Sequence, residues 1–147
     1  MKKMKMFAAV AIAALTLGLT GCSKSNEDLI IGKWNVTKMA MTLTVSGAGE
    51  EYDGTNTEEE TYEEGQVVFT FNKDNTVEIK AVEGENSTGK YTVKDDVLTI
   101  TSSDGEALQV FNILTLDKKE LVISNSESMT QDGVTMSMDV EIHMKKA

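Results

Sequence analysis

The chain has 147 residues, a formal net charge of −10, one cysteine and no proline. All 14 basic residues are lysines, so the surface repels nucleic acid and anionic lipid head groups, and it lacks the bidentate grip that Arg offers phosphate or carboxylate. A single cysteine excludes any disulfide within the chain.

Lys2, Lys3 and Lys5 open the chain, and an uncharged, largely apolar run fills 6–19. That run is too short to span a bilayer comfortably, which takes about 20 residues. A cationic start, a short apolar core and small residues behind it describe a secretory signal. Residues 19–22 are Leu-Thr-Gly-Cys. They resemble the lipobox of bacterial lipoproteins, in which the chain is cut before the Cys and its thiol is acylated. The resemblance implies a signal peptide over 1–21 and Cys22 as the lipidated first residue, carrying palmitate-type chains. It also implies a lipid anchor in the cell envelope, at the outer membrane, on either its periplasmic or its cell-surface face. Cleavage removes three lysines and no acid, which leaves 126 residues and a charge of −13. That length suits one domain with a real core. Residues 22–29 read as a lipidated tether and 30–147 as the domain. If Cys22 is acylated, neither a thiol nucleophile nor a Cys metal site remains.

From residue 33 onward apolar and polar residues alternate, interrupted by turn residues, which is the pattern of antiparallel strands. Eight strands are expected, over 33–45, 66–71, 76–82, 89–93, 97–101, 107–116, 120–126 and 134–144. In the first, Met39, Met41, Leu43 and Val45 share one parity while Trp34 and Val36 have the other, so a bulge is expected near Lys38. The last alternates cleanly through Val134, Met136, Met138, Val140, Ile142 and Met144. Six connections are short and rich in Asp, Asn and Gly, so consecutive strands should be neighbours. The first connection, 46–65, is long and carries eight carboxylates. It reads as a lid, a binding loop or a disordered insert.

Such a meander hides its apolar sides best by closing into an all-β, eight-stranded antiparallel up-and-down barrel. An open two-sheet sandwich is the alternative. Gly32-Lys33-Trp34 at the start of the first strand looks like the Gly-x-Trp motif of lipocalins. Phe69, Phe71, Gly89-Lys90-Tyr91 and Leu98-Thr99-Ile100 look like the bacterial lipocalin-like lipoproteins. The resemblance implies a lipocalin-like barrel with a long first loop over its cup. Two departures stand out. Lipocalins commonly pack an Arg of the last strand over the Trp, and here only Lys145 or Lys146 could replace it. Their Thr-Asp-Tyr motif is absent.

The site reading follows from these faces. Trp34 reads first as a plug for one barrel end. The apolar lining expected for a ligand is Trp34, Met39, Met41, Phe69, Phe71, Met136 and Met138, with the pliant methionines suiting an adaptable surface. Plain core packing is the competing reading of the methionines. Thioethers also suit Cu(I), but no His shares their face. His143, the only His, points outward by alternation, so neither a zinc site nor a Ser-His-Asp triad is expected. Asp53, Asn56, Glu58 and Glu60 offer oxygens, yet they lack the order of a calcium loop and read as a solvated acidic run. Asp95 and Asp96 sit in a tight turn and point apart. No catalytic residue, metal or cofactor is assigned. The expected function is non-catalytic binding of a small apolar ligand in a membrane-anchored barrel. The alternative is a structural or protein-interaction module of the envelope with a filled core.

Overall fold

A computed structural model describes residues 24–106 and 108–147. Cys22 and the whole of 1–21 lie outside the described residues. The described chain opens with helix α1 (Asn26–Ile30), whose N-cap is Ser25. The Ser25 hydroxyl accepts from the Asp28 amide at 3.3 Å, and Glu27 and Asp28 place negative charge on the first turn. The expected tether boundary at residue 29 therefore falls inside a folded element.

Nine strands follow: β1 (Gly32–Ser46), β2 (Gly54–Thr61), β3 (Val67–Phe71), β4 (Thr76–Ala81), β5 (Ser87–Lys94), β6 (Val97–Ser102), β7 (Leu108–Leu116), β8 (Glu120–Gln131) and β9 (Val134–Lys146). All pair antiparallel, and β1 also pairs with β9, which closes β1 and β3 to β9 into an eight-stranded up-and-down barrel. That closing pair runs from Trp34↔Lys146 to Ser46↔Thr135 and rules out the open sandwich. The short turns do what their composition suggests. Asn75, Asp95 and Asp132 adopt positive φ, and Asp132 is followed by Gly133 at φ 83 in the β8–β9 turn.

One element departs from expectation. Much of the acidic segment 46–65 is a strand rather than a structureless lid. β2 pairs with β1 over eight residues, from Lys38↔Thr61 to Val45↔Gly54. Asp53 serves its turn, where its carboxylate accepts from the amides of Ala48 at 2.7 Å and Gly49 at 3.2 Å. Every residue of β2 is exposed, so no apolar parity marked it in the sequence.

The bulge expected near Lys38 is present, at the point where β1 changes partners on one edge. Gly32 to Asn35 pair with β3, and Lys38 to Val45 pair with β2. Between them the Thr37 carbonyl accepts from the Tyr62 amide at 3.0 Å, and the Thr37 hydroxyl donates to the His143 carbonyl at 3.2 Å. The bulge thus keeps the Thr37 carbonyl and hydroxyl paired, and it redirects β1 beyond the barrel wall. With β9 and the far half of β8, the strand continues as a protruding four-stranded sheet in the order β2-β1-β9-β8.

The core fills the barrel around Trp34, Val36, Phe71, Val77, Leu98, Leu121, Ile123 and Met144. Phe71 meets Tyr91 edge-on at 5.0 Å and stacks near Phe69 at 6.2 Å.

Candidate functional site

One end of the barrel is sealed, and Trp34 is its plug, as the sequence suggested. It is fully buried, and its indole Nε1 donates to the Ile30 carbonyl at 2.7 Å, so β1 and α1 are fastened together. Lys146 takes the place that lipocalins give to Arg. Its Nζ sits 4.4 Å from the Trp34 ring centroid and donates to the carbonyls of Leu29 at 3.0 Å and Ile31 at 2.6 Å. The Gly32 of the Gly-x-Trp motif has a physical reason here. A Cβ at Gly32, which lies at φ +130, would stand 2.8 Å from Lys146 Cε. Burial, and then the charge of Lys24, hold the Lys146 amine below its ordinary pKa. Asn26 ties α1 to the β5–β6 turn by donating to the Asp95 carbonyl at 2.9 Å and the Asp96 carboxylate at 3.1 Å. The paired aspartates therefore serve as a docking point for the helix.

The other end is open. Phe69, Phe111, Val140, Ile142 and Met138 line a cavity of about 270 Å3 whose polar wall is Gln109, Asn125 and Glu127. A second hollow of about 200 Å3 adjoins it through Gln109, between Val77, Ile79, Gly89 and Ile100, with Ser87, Ser102 and Thr88 beside them. Together they form a shallow cup above the filled core.

The protruding sheet carries the apolar lining outward. In-register rows place Glu60, Met39, Ile142 and Ile123 across one level of its inner face. The next levels are Glu58, Met41, Val140 and Asn125, then Asn56, Leu43, Met138 and Glu127, then Gly54, Val45, Met136 and Met129. Met41 and Leu43 are each 40% exposed, Met138 42% and Met136 44%. The opposite face is a ladder of hydroxyls, with Thr42–Thr57 at 3.0 Å, Thr44–Thr55 at 3.2 Å, Ser128–Ser137 at 3.1 Å and Thr130–Thr135 at 2.9 Å. One side of this sheet is therefore wet by design, while the other presents apolar surface without a cover.

The residues proposed from sequence divide accordingly. Phe69 and Met138 line the cavity, while Met39, Met41 and Met136 share the inner face that leads from it. Trp34 and Phe71 do not reach it, because both are sealed in the core of the closed end. Gln109, Phe111, Asn125, Glu127, Val140 and Ile142 complete the wall and were not singled out. Phe111 was obscured because β7 is apolar on both faces. Glu127 and its neighbours fell beyond the expected end of the seventh strand at 126, whereas β8 runs to Gln131.

The titratable groups at the open end are few. Glu60 accepts from the Tyr62 phenol at 2.7 Å, and that bond, followed by burial, raises the phenol's pKa. His143 stands on the outer face, with its Nε2 2.5 Å from Glu141 Oε1. Among the described residues no cluster of His, Cys, Asp or Glu could hold a metal ion, and no helix is long and apolar enough to cross a membrane.

The lipocalin-like domain family matches residues 30–123, nearly two thirds of the chain. The chain belongs to that family. No curated protein matches it. Among solved structures, an uncharacterized protein from Bacteroides eggerthii is 16% identical, with a TM-score of 0.47 over 80% of this chain and 98% of that one. A lipocalin-like barrel fits a small-molecule binding role.

Proposed function

We propose that this lipocalin-like protein is a non-catalytic binding protein that takes a small apolar group into its cup, tethered to the envelope membrane through acylated Cys22. The observation that carries the binding half is the cavity of about 270 Å3 with an apolar floor and a polar wall. Its size approaches the lower bound of about 300 Å3 for drug-sized pockets, so a chain or a small ring fits better than a large cofactor. The tether half rests on Leu-Thr-Gly-Cys at 19–22 and on the cationic, apolar segment before it. A fold that begins at α1, beside the sealed end, suits an anchor there, with the cup directed away from the membrane.

Titration with N-phenyl-1-naphthylamine, a neutral apolar fluorophore, tests the cup. Saturable binding is expected, and Met138→Trp, which fills the cavity from a half-exposed position, should weaken it about tenfold while leaving circular dichroism unchanged. Absence of binding, or binding indifferent to Met138→Trp, would refute the cup. Cys22→Ser should yield a protein without acyl mass by mass spectrometry, and acyl mass retained in that variant would refute the anchor.

The exposed inner face of the protruding sheet favours a second reading, in which a partner protein docks on Met41, Leu43 and Met136. It predicts that a photo-reactive residue at position 43 traps a protein adduct in the native membrane.

A further inference from the structure

The mouth of the cup carries charge of one sign. Glu127 is the charged side chain in the cavity wall, and among the described residues no lysine contributes to either hollow. Two more carboxylates, Glu58 and Glu60, stand on the β2 edge of the same face, in the rows of Val140 and Ile142. The lysine nearest in sequence register, Lys38, belongs to the opposite face and pairs there with Glu59 at 3.4 Å. Gln109 and Asn125 complete the polar wall, and the Asn125 amide is already engaged with the Val110 carbonyl at 2.7 Å. An anionic head group entering this mouth meets carboxylates and finds no cation among the described residues that line it. A cationic head meets charge complementary to its own while its apolar tail reaches Phe69, Phe111 and Ile142 below.

We propose that the ligand of the cup is an amphiphile with an apolar body and a cationic amine or quaternary ammonium head, which Glu127 faces. This inference rests on the cup reading above. Because Glu127 is exposed to solvent, screening keeps the preference modest, at about tenfold between heads of opposite charge, and salt should weaken it further.

Displacement of N-phenyl-1-naphthylamine by single-chain amphiphiles of equal length, each below its micelle-forming concentration, tests this. Dodecyltrimethylammonium should displace the probe best, dodecanol next and dodecanoate least. Glu127→Gln should bring the charged pair to within about twofold of each other. Glu120→Gln, at the sealed end, should leave the order intact and so controls for total charge. Displacement by dodecanol with no order among heads, with dodecanoate preferred, or with an order that survives Glu127→Gln, would overturn this inference alone. Failure of dodecanol to displace the probe would instead sink the cup reading beneath it.

Discussion

The two ends of this barrel are made from the same alternating strands, yet they are finished in opposite ways. At the sealed end, aromatic bulk, a helix and a lysine converge, and three polar side chains find partners within the fold. Trp34 bonds to Ile30, Lys146 to Leu29 and Ile31, and Asn26 to the β5–β6 turn. At the open end the strands outrun the barrel, and their inner face offers methionine and leucine to solvent above a cavity. Packed contacts at one end hold the fold, while apolar surface at the other is left uncovered.

Substitutions at each end sharpen the contrast. Trp34→Ala should have the largest effect, about 3–5 kcal/mol, because it empties the plug and frees α1. Urea unfolding should show this as a lower midpoint, and a loss below about 1 kcal/mol would mean the plug is not what seals the barrel. Lys146→Met should cost about 1–2 kcal/mol by leaving two carbonyls without their charged donor, and Lys146→Arg should recover most of it.

A smaller, pH-dependent effect belongs to Asp117 in the β7–β8 turn. Its carboxylate accepts from the amides of Lys119 at 2.7 Å and Glu120 at 2.8 Å, bonds that lower its pKa below the ordinary 3.8. A depressed carboxylate stabilises the fold above the unfolded value and loses that contribution as pH falls through the folded one. Asp117→Asn should therefore lower the thermal midpoint slightly at pH 7, and the gap to the parent should close as the solution is acidified below 3.8. A gap that widens on acidification would contradict the assignment. The smallest change expected is at the open end, where Met136→Ser should alter stability by no more than about 0.5 kcal/mol. A loss comparable to that of Lys146→Met would show that the protruding sheet is part of the structural core after all.

Much of the barrel was legible because burial writes itself into parity. The faultless alternation of 134–144 and the change of parity across Lys38 located the closing strand and the bulge. The Gly-x-Trp motif marked the sealed end, and the stand-in for Arg was narrowed to Lys145 or Lys146, between which only the structure decided. β2 was invisible because both its faces meet water. It is held by backbone pairing and hydroxyl contacts, which leave no periodic trace. The cup was half legible. Phe69 and Met138 were named, but Trp34 and Phe71 were grouped with them because composition does not say which end of a barrel an aromatic residue fills.

The sequence alone determined the kind of object this is: acidic, without Arg, and folded into strands whose apolar sides must share one enclosed space. That follows from periodicity, since a strand buried on one face must alternate. Only the tertiary structure decided where the space is filled and where it is open. That outcome depends on strand register and relative length, because β1, β8 and β9 extend past the barrel and carry their apolar face with them.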